Sequence, residues 1–332
     1  MKLLTYKRQT IPAYIILTLF LTIIMIGCSS SSSGSPPNPS ETRQRQQSQS
    51  TTPASAPVSQ TLIVHFIDVG QADSILIQAP SGKNMLIDAG NNEDRSTVVN
   101  YIKNQGISKL DIVVGTHPHE DHIGGLDTVI NTFDIDQVVM PNKTHTTQTF
   151  KDVLTAVQNK GLKITTAKPG VNLDLGTGVT ASVIAPIGTS YDDLNSYSAV
   201  IRLVFGNTSF LFTGDAPSDS EAEMVSSGTT LASTVLKVGH HGSSTSTSQA
   251  FLNKVNPKYA VIMVGKDNDY GHPHKETLDK LANIGAKVCR TDLNGIIIAA
   301  SDGSTVSFTT SKTANNISIS SPAPVPVAAP AH

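Results

Sequence analysis

The feature that most constrains this chain is a six-residue run, His117, Pro118, His119, Glu120, Asp121 and His122, placed directly after the apolar stretch Leu110 to Thr116. That stretch reads as a buried strand, so three imidazoles and two carboxylates stand just past a strand's carboxyl end, where backbone turns outward and side chains converge. Imidazole nitrogen and carboxylate oxygen are the ligands that a borderline divalent ion accepts, and alternate residues of one loop can serve two adjacent ions. Gly124 and Gly125 follow, and are expected to let the backbone turn tightly into a helix beginning near Leu126. The fold must therefore hold a rigid strand end against other ligand-bearing segments.

Candidates for those segments recur in a repeated order. Val64 to Gln78 and Asn84 to Asp88 read as strands joined by the turn Ala79 to Gly82, followed by a helix over 97–104 that Gly106 ends. In the second half, Ala199 to Phe205 and Ser209 to Thr213 form a hairpin closing on Gly214 and Asp215, then a helix over 220–227 and a strand over 234–238 that ends at His240 and His241. Asp215 is placed like Asp88, and the His pair like the first His cluster. Two more alternations, Ser248 to Val255 with Ala260 to Val264 and Lys275 to Ile284 with Lys287 to Ala300, complete this half. The repetition predicts an α/β fold, a pseudo-duplicated sandwich of two mostly β halves faced by helices, with both clusters meeting at one edge of the sheets.

The ends of the chain have a different character. Lys2, Lys7 and Arg8 precede an apolar run from Ile11 to Ile26, a secretory signal pattern over residues 1–27. Met25, Ile26, Gly27 and Cys28 resemble a bacterial lipobox, which makes Cys28 the expected site of lipidation and anchors the protein to the outer face of the cell membrane. A plain signal peptide or an uncleaved anchor is the competing reading. Residues 28–60, rich in Ser, Gln, Pro and Thr, read as a disordered tether, and 313–332 as a disordered tail, which leaves 61–312 as a single folded domain. With Cys28 lipidated, Cys289 has no disulfide partner and reads as a buried strand residue. The folded stretch carries 19 Lys and Arg against 25 Asp and Glu, a net charge of −6, so it lacks a bulk basic field for nucleic acid. Bound divalent ions would supply positive charge locally.

The segment Thr116 to Gly125 is similar to the HxHxDH signature of the metallo-β-lactamase fold superfamily. That resemblance implies a four-layer αββα sandwich, in agreement with the duplication. It narrows at Phe66 to Ser74 (FIDVGQADS), Leu236 to Ser244 (LKVGHHGSS) and Tyr270 to His274 (YGHPH), which look like the soluble hydrolase domain of the ComEC DNA-uptake proteins and their free-standing relatives. Ala72 stands where that family usually has Gly, and His119 where membrane-bound members often have Asp. The polytopic channel of ComEC is missing from the sequence, which argues against DNA transport by this chain alone.

Carried over residue by residue, the resemblance implies His117 and His119 for one ion, Asp121 and His122 for the other, and Asp215 as the carboxylate between them. It also expects a His between the two motifs, where Asn195 to Ser198 (NSYS) stands instead and His145 lies too early. The expected centre is therefore asymmetric: two divalent ions, zinc or manganese, one held more weakly, with Asn195, Ser198 or water completing it. His240 is the expected last ligand. His241 then faces the substrate or stabilises the leaving group. His272, held in a turn by Gly271 and Pro273, is a third candidate for ligand or catalytic group, with a capping or supporting role as its alternative. Asp121 is also expected as a catalytic carboxylate. Asp88 and Asp68 are expected behind the ligands, where a carboxylate fixes the tautomer of a ligating His. The hydroxyls of Ser243 to Thr247 are candidates to meet a phosphate, the alternative being that Ser246 or Ser248 simply caps the next helix.

These readings predict an exported metal-dependent hydrolase in which a metal-bound hydroxide attacks a phosphodiester, with DNA the first substrate to test and competence or DNA uptake the expected context. A hydrolase of cell-envelope phosphoesters, or of a lactam, lactone or thioester, is the enzymatic alternative. A non-catalytic surface lipoprotein that keeps the metal for stability is the alternative of another class.

Overall fold

The structure, a computed structural model, describes residues 60–312. The expected signal segment, the expected lipidation site Cys28, the tail and all of the tether but residue 60 lie outside the described residues.

The first half runs β1 (Leu62–Phe66), β2 (Ile75–Gln78), β3 (Asn84–Ile87), α1 (Arg95–Asn104), β4 (Lys109–Val114), α2 (Glu120–Ile123), α3 (Leu126–Thr132), β5 (Asp134–Met140), α4 (Gln148–Asn159) and β6 (Ile164–Thr166). The second runs β7 (Val179–Ala185), β8 (Val200–Phe205), β9 (Thr208–Phe212), α5 (Ser218–Ser226), β10 (Val235–Lys237), α6 (Gln249–Val255), β11 (Tyr259–Ile262), α7 (Lys275–Asn283), β12 (Lys287–Arg290), α8 (Thr291–Asn294), β13 (Ile297–Ser301) and β14 (Val306–Thr310).

The duplication is explicit in the pairing. Strands β1 to β6 are neighbours in chain order, the first two pairs antiparallel and the next three parallel, and β7 to β12 repeat that pattern. Strands β13 and β14 then leave the second half and extend the first sheet beside β1, giving sheets of eight and six strands.

Side-chain alternation along the strands builds the layers. Met85 and Ile87 of β3, Ile112 and Val114 of β4, and Phe210 and Phe212 of β9 meet between the two sheets. Leu86 and Val113 face out to Val98, Ile102, Leu126 and Val153 of α1, α3 and α4. Leu211 and Leu236 face the other way, to Met224, Phe251, Leu252 and Leu281 of α5, α6 and α7. The result is a four-layer αββα sandwich.

Three local expectations need correction. The span from Val64 to Gln78 is two strands, because the chain leaves the sheet at Ile67 and returns at Ser74, with Ile67 N–H donating to Ser74 O at 3.0 Å. The apolar run from Lys287 to Ala300 is likewise broken, by α8 and by Gly295 at φ 64°, and its two strands belong to different sheets. Gly124 and Gly125 do form the turn between α2 and α3, but both have negative φ, so the turn itself does not require glycine. A Cβ on Gly124 would lie 2.3 Å from the Asn91 carbonyl carbon, and one on Gly125 would lie 2.4 Å from the Ala89 oxygen. They are glycines because the α2–α3 segment packs directly on the backbone that follows β3.

Candidate metal centre

The ligand-type residues all follow carboxyl ends of strands: Asp88 after β3, His117 to His122 after β4, Asp215 after β9, and His240 and His241 after β10. Packing the two sheets face to face with these ends on one edge brings both halves' loops together. Backbone hydrogen bonds stitch them: Ala89 N to His122 O at 2.7 Å, Asp73 N to Asp121 O at 3.0 Å, Gly90 N to Asp73 O at 2.8 Å and His240 N to Gly214 O at 3.2 Å. Asp88, His240 and His241 adopt φ values of 58°, 49° and 52°. Left-handed backbone is rarely accepted outside glycine and asparagine, and the packing around these loops holds it.

One oxygen or nitrogen from each of Asp121, His122, Asp215 and His241 falls within 4.8 Å of the others. His241 Nε2 lies 3.2 Å from Asp121 Oδ2 and 3.7 Å from Asp215 Oδ2, and His122 Nε2 lies 3.2 Å from Asp215 Oδ2. Both rings are turned by a hydrogen bond at the far nitrogen. His122 Nδ1 donates to Asp88 Oδ2 at 2.8 Å, and His241 Nδ1 donates to the Met263 carbonyl at 2.9 Å. This points each Nε2 at the shared space, the ring orientation that ligation needs, where a cation would take the place of a proton. Asp88 itself is fixed by the Thr116 amide at 2.8 Å and the Thr116 hydroxyl at 2.7 Å.

The buried Nε2 of His122 and Oδ1 of Asp215 have no hydrogen-bond partner. Buried polar atoms are almost always paired, so these two identify a place that a cation would fill. The donor set, imidazole and carboxylate, suits zinc or manganese. Beside it, His117 Nε2 and His119 Nδ1 approach to 2.9 Å, and the His117 ring lies 4.2 Å from that of His122. Asn195, 9% exposed, has an unpartnered Oδ1 and lines the same cleft, which stands where the missing His was expected. The residues present thus form a candidate dimetal site, with a fuller ligand set on the Asp121, His122, Asp215 and His241 side. Ser198 sits behind the site residues: its buried hydroxyl accepts from Asp215 N at 3.1 Å and lies 3.5 Å from His117 Nδ1.

The charges are strongly coupled. Burial opposes ionisation of Asp215, but His122, His241 and Lys237 hold its carboxyl well below the usual range. Burial likewise disfavours charged His122, and the Asp215, Asp121 and Asp88 carboxylates overcome it, holding that imidazole well above its ordinary value. His117, which burial dominates, is held well below.

Several placements differ from expectation. His241, not His240, falls inside the cluster. The left-handed turn Gly239–Gly242 buries the His241 ring, whereas the His240 side chain is 27% exposed, with Nε2 3.8 Å from Asp215 and Nδ1 3.1 Å from the Thr245 hydroxyl. Asp68 is outside the site, paired with Lys312 at 3.0 Å; the loop between β1 and β2 turns its other carboxylate, Asp73, inward instead. The hydroxyl run is structural: Ser246 donates to Ala216 O, Ser248 caps α6, and the amides of Thr247 and Ser248 donate to buried Glu221 at 2.5 and 2.7 Å. His274 is half-buried, with Nδ1 accepting from Ser244 N at 2.9 Å. Cys289 is buried in β12, its thiol pushed up to about 11 by burial.

His272 does reach the cleft. Gln71 Nε2 donates to its Nδ1 at 3.2 Å while Gln71 Oε1 accepts from Gly265 N at 3.0 Å, which leaves the ring proton on Nε2. Burial and the neighbouring His240 push its pKa down to about 4, so it is a neutral hydrogen-bond donor at pH 7.

Two residues that matter were not singled out from the sequence. Gln71 is one. The other is Lys237, whose side chain is fully buried, pairing with Asp73, donating to Gly214 O at 3.0 Å and lying 3.8 Å from Asp215 Oδ1. Asp73, Asp88 and His122 also converge closely enough to suggest a metal, but the Lys237 ammonium pairs with that layer. The available signal was a lysine set in the apolar strand between Leu236 and Val238.

A family model described as the metallo-β-lactamase superfamily matches residues 67–266. The chain is similar to ComE operon protein 3 of Bacillus subtilis, 31% identical over 251 residues that cover 70% of this chain and 32% of that protein. It is also similar to competence protein ComA of Neisseria gonorrhoeae, 29% identical over 74% of this chain and 33% of that protein. Recombination protein 2 of Haemophilus influenzae is 28% identical over 70% of this chain and 28% of its own length. The chain spans about a third of the length of the curated relatives it matches.

Proposed function

Because the chain belongs to the metallo-β-lactamase superfamily, we propose that it is a metal-dependent phosphodiesterase whose substrate is DNA, exported and held at the outer face of the membrane by a lipid on Cys28. The observation that carries the hydrolytic reading is the convergence of Asp121, His122, Asp215 and His241 within 4.8 Å, with buried polar atoms of His122 and Asp215 left unpartnered. Divalent ions bound there supply charge neutralisation for a phosphoryl group and lower the pKa of a water.

The protein's own contribution is positional. Asp88 and the Met263 carbonyl hold the two ligand imidazoles in one tautomer, and Lys237 restrains Asp73 and the Gly214 turn from behind. His272, oriented by Gln71, offers an Nε2–H to an oxygen of the substrate, and Asn195 offers its carboxamide from the lining of the same cleft. The cleft, about 300 Å3 and open to solvent, is at the small end of ligand sites and accepts one segment of a longer polymer. DNA is favoured because the FIDVGQADS, LKVGHHGSS and YGHPH motifs resemble those of DNA-uptake proteins, and because the names of the relatives refer to competence and recombination.

Purified protein incubated with labelled linear and circular DNA plus manganese or zinc, beside Asp215→Ala, tests this. Metal-dependent cleavage lost in the variant is expected. Absence of cleavage by protein with bound metal overturns the DNA reading and turns attention to envelope phosphoesters and acyl substrates. Export is tested separately, by fatty-acid labelling that Cys28→Ser abolishes.

A further inference from the structure

The mouth of the cleft is built from aromatic rings. Tyr270 is 67% exposed, the most exposed large apolar side chain among the described residues, and it stands on the cleft wall. Its ring is stacked on His272 at 5.5 Å and 21°, and His272 is stacked in turn over His241 at 6.5 Å and 26°. A near-parallel column of three rings therefore leads from solvent to a residue of the metal cluster.

The column is held rather than loose. The Asn268 carboxamide accepts from Tyr270 N at 3.2 Å and His272 N at 3.0 Å, and donates to the carbonyls of Gly265 at 2.9 Å and His272 at 2.7 Å. The Tyr270 carbonyl also receives a hydrogen bond from His274 Nε2 at 3.2 Å. One face of the tyrosine is covered by His272 and the rest is left to water. A rigid aromatic face exposed beside a reactive cleft suits a flat π-bearing ligand. Inside a duplex both faces of each base are covered by neighbours, so an unpaired base occupies the position far more readily than a paired one. Sequence-tolerant stacking of this kind contributes to holding single strands, and a net acidic domain has more need of it than one with a bulk basic field.

Resting on the phosphodiesterase reading above, we propose that Tyr270 is the stacking platform for an unpaired nucleobase next to the scissile phosphate, and that the substrate is single-stranded DNA. Three substrates test it: a single-stranded oligonucleotide, the same strand in a blunt duplex, and the same strand with abasic residues. The wild-type protein is expected to cleave the first with the lowest KM. Tyr270→Ala should raise that KM by roughly 5- to 150-fold and no longer distinguish base-bearing from abasic strands, while Tyr270→Phe restores the discrimination. The chain has no tryptophan, so Tyr270→Trp places a single fluorophore on the rim. In the zinc-loaded protein its emission should respond to the single strand and not to the duplex or the abasic strand.

Circular dichroism and zinc content matching the wild type establish that each variant is folded. If wild type cleaves DNA but Tyr270→Ala keeps its KM and its discrimination, the stacking inference is overturned and the phosphodiesterase reading stands. If no DNA is cleaved or bound in any form, both fall.

Discussion

Replacing Lys237 with methionine keeps the aliphatic stem and removes only the ammonium. In the wild type that ammonium is fully buried; Asp73 and Asp215 outweigh the cost of burial and raise its pKa above the ordinary lysine value. Its loss leaves Asp73 and Asp215 in a low-dielectric pocket with the imidazoles as their remaining counter-charges. Breaking a buried pair by deleting one partner costs about 3–5 kcal/mol, because the other charge stays buried and uncompensated. For a domain of this size about 2–4 °C of melting temperature accompanies each kcal/mol, so the expected fall is about 6–20 °C. The assay is urea unfolding followed by circular dichroism in EDTA, which removes the stabilisation that bound metal would add. Adding Asp73→Asn to Lys237→Met should recover part of the loss, with a coupling between the two sites of about 0.5–3 kcal/mol. A loss below about 1 kcal/mol, smaller than the range for a buried pair, or strict additivity of the two changes, would refute the claim that Lys237 neutralises this layer.

Three further outcomes are expected. In manganese titration calorimetry His241→Ala should weaken binding more than Asp88→Asn, which acts only through His122 and should cost about 10–100-fold; His240→Ala should cost least, and the reverse order of the two histidines would overturn the ligand assignment. His65, remote from the site and bonded to Tyr101 and Gln78, has its pKa lowered by burial; the unfolded chain then binds more protons below about pH 6.5, so its contribution is complete above that value and lost as pH falls. Urea midpoints between pH 7.5 and 5 should decline, and less so in His65→Gln; equal slopes would remove His65 as a cause. Gly124→Ala should destabilise by about 1–3 kcal/mol through overpacking and weaken metal binding, since its Cβ would meet Asn91 backbone at 2.3 Å; a thermal scan and the same titration check it.

Much of the architecture follows from local pattern. Apolar runs bounded by Gly and Asp mark β3, β4, β9 and β10, and the repeated order of hairpin, helix and strand anticipates the pairing that the two halves share. The elements between Phe133 and Ala185 were not set apart, because β5, β6 and β7 carry half-exposed residues that blur a period of two. The break of the first strand at Ile67 was hidden for the opposite reason: Val69 and Ala72 are buried in a loop and read like strand residues.

The sequence by itself determined that a cluster of imidazoles and carboxylates would stand at strand ends, since ligand type and strand periodicity are local properties. Only the tertiary structure decided which members of the cluster converge. His240 and His241 are adjacent and chemically identical, and their left-handed backbone, set by the packing of the turn against Gly214 and Met263, sends one ring inward and leaves the other at the rim. Asp68 and Asp73 share one loop, but only Asp73 faces the buried ammonium of Lys237, a residue brought to it from the other half of the duplication. Burial, and with it the strength of every charge in the site, is a property of the packed sheets and not of any single segment.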